Sequence, residues 1–210
     1  MSNLSHIKRQ VKQAVEILRN GGIVAFPTDT VYGLGADPLN EQAVGKIYKI
    51  KRRPHNLPLP LLLADKSDLT KVASIVPEIA WKLAERFWPG GLTLVLKKSP
   101  WVPSAVTAGG DTIAVRIPNH PVPIALIWGL GTPLVGTSAN LSGRSSPITA
   151  RDVKEQLGGK VELIIDGDWC LRGIESTVLD ISGEVPILIR EGVVPEEEIA
   201  KICGPLLSKI

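Results

Sequence analysis

The sequence predicts an α/β fold, a twisted mixed β-sheet flanked by helices, and three observations predict it. Short apolar runs of strand length alternate with longer segments in which apolar residues recur every three to four positions, the pattern of strands interleaved with amphipathic helices. Two late apolar runs, 177–181 and 186–189, are separated only by a turn around Ser182-Gly183-Glu184, so at least one hairpin adds antiparallel pairing. Seventeen prolines and twenty glycines are spread along the chain instead of gathered in a linker, which points to many turns within one fold.

Element by element, Ile7, Val11, Ala14, Val15 and Leu18 repeat at helical spacing, with Ser5 as the expected N-cap and Gly21-Gly22 as the stop. The apolar run 23–26 is the first strand. Asn40 is placed to cap a second helix through Ala43, Val44, Ile47 and Tyr48, whose last turn carries Lys49 and Lys51. Pro77 suits the first position of a third helix, with Ile79, Ala80, Leu83, Ala84 and Phe87 as its buried stripe and Trp81 and Trp88 packed beside it; Pro89-Gly90-Gly91 ends it. Residues 92–97 form a strand and 100–110 a Pro/Gly-rich loop. In the strand 112–117, alternation sets Thr112, Ala114 and Arg116 on one face and Ile113, Val115 and Ile117 on the other. Pro121 and Pro123 open a helix through Leu126 and Trp128, and 133–136 is again a strand. Thr149 and Asp152 stand at capping-box spacing before a helix that Gly158-Gly159 terminates. A strand over 161–165 and the hairpin precede a last helix beginning at Pro195, with Glu196, Glu197 and Glu198 in the first turn, where the helix dipole favours carboxylates.

At 210 residues and 44% hydrophobic content, the chain can bury a substantial core, and a single domain over 1–210 is expected. Its 24 basic against 21 acidic residues leave a formal charge of +3, too balanced for a binder whose affinity rests on many phosphate contacts along nucleic acid. Cys170 and Cys203 have neither the spacing of a disulfide framework nor that of a zinc site, and both are expected as buried free thiols. The first residues lack the apolar stretch of a secretory signal, and no run approaches the roughly 18 apolar residues of a membrane span. A cytoplasmic protein without a membrane partner is expected.

Four segments carry the chemistry: Pro27-Thr28-Asp29-Thr30-Val31-Tyr32-Gly33-Leu34-Gly35, Lys51-Arg52-Arg53-Pro54, Ala114-Val115-Arg116-Ile117-Pro118-Asn119-His120-Pro121 and Gly136-Thr137-Ser138-Ala139-Asn140-Leu141-Ser142-Gly143. Each mixes hydroxyl or guanidinium donors with Gly or Pro, the composition of rigid turns that present polar groups and let a ligand approach the backbone. No phosphate-binding P-loop or dinucleotide fingerprint is present. Gly136-Thr137-Ser138-Ala139-Asn140 has Asn where a nucleophile elbow needs its last Gly, and His6, His55 and His120 form no evident pair. What remains is recognition by placed cations and hydroxyls. Lys51, Arg53 and Arg190 are candidates for phosphates and Arg116 for a carboxylate. Lys51 also reads as a solvated helix end, and Thr30, Thr112, Ser138 and Ser176 also read as turn or cap hydroxyls. Arg116, a charge inside an apolar strand, reads as functional.

These segments, together with Glu175-Ser176-Thr177-Val178 and Ile189-Arg190-Glu191-Gly192, occur in the order seen in the YrdC family, which the chain resembles over nearly its whole length in the compact, single-domain form. The resemblance implies a YrdC-like sheet with a concave basic surface. It implies synthesis of L-threonylcarbamoyladenylate and pyrophosphate from L-threonine, bicarbonate and ATP, with Mg2+ accompanying the nucleotide and no tightly bound organic cofactor. The product would pass to a downstream tRNA threonylcarbamoyl transferase. Carried over position by position, the resemblance assigns Thr30, Arg116, Ser138 and Ser176 to threonine and Arg53, Thr112, Asn140 and Arg190 to ATP. Lys51 and Arg53 fall on the family's catalytic Lys-x-Arg element. Metal ligands are left open among Asp29, Asp166, Asp168 and Glu191.

The chain departs from many relatives at Leu57, where an Asn is common, at Leu62, where some have a His, and at Ile148, often a Thr; Ser146 and Thr149 flank the last. Two other readings of the same residues are an RNA-binding module without catalysis, gripping tRNA or double-stranded RNA, and a paralogue forming plain carbamoyl adenylate. RNA binders set stacking aromatics among their basic residues, and this region offers only Tyr32.

Overall fold

The computed structural model describes residues 3–167, 170 and 173–208. Helix α1 (Asn3–Arg19) begins two residues before the expected cap, so Ser5 lies inside it. It stops where Gly21, at φ +74°, lets the amides of Gly21 and Gly22 turn back to the Leu18 and Ile17 carbonyls at 2.9 and 2.8 Å. Strands β1 (Val24–Phe26) and β2 (Gly33–Ala36) flank the first polar segment. Asn40 caps α2 (Glu41–Lys51) as expected, its side chain accepting from the Ala43 amide at 3.0 Å. The remaining elements are β3 (Leu61–Leu62), α3 (Leu69–Val72), α4 (Glu78–Phe87), β4 (Leu92–Lys97), α5 (Ser104–Thr107), β5 (Thr112–Arg116), α6 (Pro121–Leu130), β6 (Leu134–Ser138), α7 (Ala150–Leu157), β7 (Leu163–Ile164), β8 (Thr177–Asp180), β9 (Ile187–Arg190), α8 (Glu196–Cys203) and β10 (Leu207–Ser208).

Pro77 and Pro195 sit one position outside their helices, in the extended N-cap conformation, whereas Pro121 opens α6 behind a His120 cap. The stretch expected as a plain loop over 100–110 contains α5. Thr149 and Asp152 close a reciprocal capping box on α7, since the Asp carboxylate reaches the Thr149 amide as a Glu would. Cys170 is buried as expected and Cys203 only partly so. Among the described residues no helix is long and apolar enough to cross a membrane.

One sheet runs in the order β10-β9-β8-β4-β5-β3-β6-β2-β1-β7. It is mixed: β4 pairs antiparallel with β5 but parallel with β8, and β3 pairs parallel with β5 but antiparallel with β6. Alternation divides its residues between two faces. Leu61, Leu94, Leu96, Ile113, Val115, Val135 and Leu179 join the larger core with α2 and α4. On the opposite face Val24, Phe26, Leu62 and Leu134 pack under α1 and α6. Further along that second face, Thr93, Val95, Ala114, Arg116 and Val178 line a cavity.

The Asn40 cap fixes where α2 starts and therefore where Lys51 ends it. Asn40→Ala is expected to cost roughly 0.5–2 kcal/mol, read as a lower urea midpoint at unchanged denaturant dependence, with Asn40→Asp retaining most of the stability.

Candidate functional site

The cavity on the second sheet face has a volume of about 330 Å³. Arg53, Arg116 and Arg190 all line it, with the hydroxyl residues Thr30, Ser138 and Ser176. Residues separated by up to 160 positions in sequence thus meet around one space, carried there by β5, β6, β8, β9 and the two segments that follow β1 and α2.

Arg116 is the most constrained of these side chains. Its guanidinium donates from Nε to the Gly90 carbonyl at 2.8 Å, from Nη1 to Thr30 Oγ1 at 2.9 Å and from Nη2 to Asp29 Oδ1 at 2.5 Å. Asp29 and Arg116 have side chains 12% and 8% exposed, a buried ion pair that must be satisfied on all sides to be tolerated. The same carboxylate oxygen accepts the Asn119 amide at 3.1 Å. Thr28 supports Thr30: its hydroxyl lies 3.0 Å from Thr30 Oγ1, donates to the Val31 carbonyl at 2.7 Å and accepts the Thr30 amide at 3.1 Å.

Lys51 is not a solvated helix end. It is 1% exposed and lies behind the cavity wall, its ammonium donating to the Ser138 carbonyl and, at 2.9 Å each, to the backbone and side-chain oxygens of Asn140. Those three acceptors match the three N–H bonds of an ammonium. Asn140 Oδ1 also accepts from Ser138 Oγ at 2.7 Å, and the Lys51 carbonyl accepts the Ser142 amide at 2.8 Å. Lys51 and Asn140 therefore stand outside the lining and shape the turn that presents Ser138. Burial pushes Lys51 down to about 7, with the Arg53 charge adding to this and Glu175 opposing it.

Just beyond α2, Arg52 adopts the left-handed conformation, φ +51°, and the reversal carries Arg53 to the cavity. Arg53 donates to the carbonyls of Leu57 at 3.2 Å and Pro58 at 2.8 Å, so Leu57 contributes its backbone to the site while its side chain is exposed. At the other end, Arg190 grips the Ser176 carbonyl from Nε and Nη2 at 3.1 and 2.8 Å and pairs through Nη1 with Glu175. Glu175 also accepts from the Ser146 hydroxyl, and Ser176 Oγ lies 2.8 Å from Thr93 Oγ1.

Thr112 shares the face of Ala114 and Arg116 but sits at the far end of β5, opposite Lys97, and does not line the cavity. The proposed metal ligands do not gather. Asp29 is committed to Arg116, Asp166 is exposed, Glu191 accepts the Glu196 amide at 3.0 Å at the start of α8, and Asp168 lies outside the described residues. Among the described residues no three His, Cys, Asp or Glu side chains converge to hold a metal. Sequence reasoning missed Glu175 and Thr93 as members of the site and left open the role of Asp29, which is the partner of Arg116. A buried Arg116 demands a carboxylate, and Asp29, inside the same motif as Thr30, was the nearest signal.

Residues 16–192 match the Sua5/yciO/yrdC family model, described as telomere recombination. The chain is 47% identical over 197 residues to the threonylcarbamoyl-AMP synthase of Pyrococcus abyssi, covering 94% of this chain and 58% of the relative. It is 46% identical over 198 residues to the threonylcarbamoyl-AMP synthase of Bacillus subtilis, covering 94% and 57%. The crystal structure of P. abyssi Sua5 complexed with L-threonine superposes with a TM-score of 0.92 at 46% identity, covering 95% of this chain and 58% of that one. The chain spans less than two thirds of the length of these relatives. With the family model matched over most of its residues and relatives at this level of identity, the chain belongs to the Sua5/YciO/YrdC family.

Proposed function

We propose that this chain forms L-threonylcarbamoyladenylate and pyrophosphate from L-threonine, bicarbonate and ATP, for N6-threonylcarbamoyladenosine modification of tRNA. The observation that carries the reading is the convergence of three guanidinium groups and the hydroxyl side chains of Thr30, Ser138 and Ser176, among others, on one cavity. The names of relatives at 46–47% identity and the threonine complex of the P. abyssi protein support it. The described fold, as a single domain, is the unit proposed to hold both substrates.

In this reading bicarbonate releases hydroxide to give carbon dioxide, the threonine amine adds to it and loses a proton, and a carbamate and water result. A carbamate oxygen then attacks the α-phosphorus of ATP, forming the mixed anhydride as the bond to pyrophosphate breaks. No side chain forms a covalent bond. The protein holds the reactants in line and places cations against the charge that develops on the phosphates. Arg116 anchors the amino-acid carboxylate, with Thr30, Ser138 and Ser176 around it. Arg53 and Arg190 face the nucleotide, while Asn140 acts indirectly, through the turn that presents Ser138. Magnesium enters as part of the MgATP substrate, on phosphate and water oxygens. Lys51 acts through Ser138 and Asn140 as a positioning residue, and Arg53 is the catalytic cation. The labile adenylate is then consumed by acyl transfer to tRNA. The RNA-binding reading loses ground because Tyr32, the aromatic residue lining the cavity, is fully buried and offers no face for a base to stack on.

Purified protein given ATP, bicarbonate and L-threonine is expected to release pyrophosphate only when threonine is present. Release that ignores threonine would mark plain carbamoyl-adenylate chemistry, and no release would mark a binding module. Arg116→Lys keeps the charge paired with Asp29 but loses the guanidinium fork, so KM for threonine should rise roughly 10- to 150-fold, from about 1.5–3 kcal/mol of charge-assisted bonding, with KM for ATP little changed. Equal effects on both would contradict the division of subsites.

Lys51 also predicts a pH dependence. An unfolded chain keeps this proton up to the ordinary lysine value of 10.5, whereas the folded chain releases it near 7. Between those values the unfolded state holds more protons, so this group makes stability rise with pH across the window. Lys51→Met, neutral throughout, is expected to flatten that rise in urea midpoints taken from about pH 7 to about pH 10. An unaltered slope would show that the ammonium stays charged.

A further inference from the structure

The segment that brings Arg53 to the cavity is held by a tyrosine that does not line the cavity itself. Residues 54–58 are all exposed, so burial does little to fix this segment and its position depends on polar ties at its ends. Tyr48, in the last turn of α2, supplies two of them. Its carbonyl accepts the Arg53 amide at 2.9 Å, where the chain leaves the helix, and its hydroxyl donates to the Leu57 carbonyl at 3.0 Å, where the chain returns. The Leu57 amide closes the turn on the Pro54 carbonyl at 3.1 Å, and the Leu59 amide fastens the far end to the Val106 carbonyl of α5 at 2.8 Å.

The Leu57 carbonyl has a second donor. It accepts Arg53 Nε at 3.2 Å, and the Pro58 carbonyl accepts Nη2 at 2.8 Å. One edge of the guanidinium is thus braced on two consecutive carbonyls, the first of which divides its two lone pairs between Arg53 and Tyr48. The Tyr48 ring is 4% exposed, and His55 stacks on it with ring centroids 4.9 Å apart and planes 18° from parallel. Burial pushes the Tyr48 hydroxyl above its ordinary value, with the Arg53 charge opposing, so the phenol stays a neutral donor.

We propose that Tyr48 is a positioning residue for Arg53: its hydroxyl fixes the Leu57 carbonyl on which the guanidinium rests, and so sets where that cation meets the nucleotide phosphates. This inference rests on the reading of Arg53 as a nucleotide cation. A reaction that needs its groups in line is sensitive to such support, since a misplacement of about 1 Å can cost on the order of 100-fold in rate.

The test is calorimetric titration of the whole chain with ATP and, separately, with L-threonine, with pyrophosphate release measured in parallel. Tyr48→Phe keeps the ring, its packing and the His55 stack and removes a single oxygen. ATP is expected to bind this variant roughly 3- to 12-fold more weakly, the effect of about one net hydrogen bond, while threonine affinity stays within about twofold. In an Arg53→Ala background the same substitution should change ATP affinity less than about twofold, because no guanidinium remains to be placed. Unchanged ATP affinity in Tyr48→Phe, equal weakening of ATP and threonine, or a loss that persists in full without Arg53 overturns the proposal. A wild-type chain that does not bind ATP overturns it together with the proposed function. Threonine-dependent pyrophosphate release with independent effects of Tyr48 and Arg53 sinks this inference alone; coupled effects without threonine-dependent release leave it standing and defeat the proposed activity.

Discussion

The buried ion pair between Arg116 and Asp29 is the constraint on which the rest of the site depends. A guanidinium inside a sheet is tolerable only when its donors are met by fixed acceptors, because an unpaired charge there costs several kcal/mol. Asp29, Thr30 and the Gly90 carbonyl supply those acceptors from two segments remote in sequence. Satisfying one side chain therefore draws the turn after β1 and the Gly90-Gly91 turn before β4 onto the end of β5. Asp29 extends the tie to the Asn119 amide just ahead of α6. A site residue and a folding restraint are here the same group.

The second constraint is backbone bulk. On the cavity face, Cβ atoms at Gly33 and Gly35 would stand 2.8 and 2.7 Å from the Phe26 ring, and one at Gly136 would collide with Leu62. Side chains lie across bare backbone there, so no Cβ atom at those positions intrudes on the face that Ser138, Thr30 and the arginines line. The larger core on the opposite face carries the packing, which leaves this face available for recognition.

Local signals were legible in the sequence and non-local ones were not. The Asn40 cap, the Thr149 and Asp152 box, the strand 92–97 and the two faces of 112–116 depend on neighbours within a few residues, and the structure has them as read. Strand β2 escaped because Gly33-Leu34-Gly35-Ala36 has no periodic bulk, its glycines serving Phe26 instead of strand propensity. Strands β3 and β10 are two residues long and exist only because partners lie alongside. The arginines and hydroxyls of the cavity were legible as chemistry through their motifs. Their counter-charges were not, since Glu175 beside Arg190 and the burial of Lys51 arise from tertiary packing.

The two carboxylate-paired arginines differ in a way that bears on how ligands are received. Arg116 and Asp29 are both nearly enclosed, so their pairing is part of the scaffold, and the carboxylate proposed to bind there would add to it without displacing Asp29. Arg190 and Glu175 are 45% and 33% exposed, in the range where an ion pair contributes little and screening is strong. There a phosphate, with more negative charge and more acceptor oxygens than a carboxylate, can take over Arg190 at small cost. Glu175 would keep the Ser146 hydroxyl as its partner. The same arithmetic of burial that makes one pair rigid makes the other exchangeable, which suits the proposed division of labour: a fixed cation to orient a small zwitterion and an exchangeable one to receive a polyphosphate and release pyrophosphate.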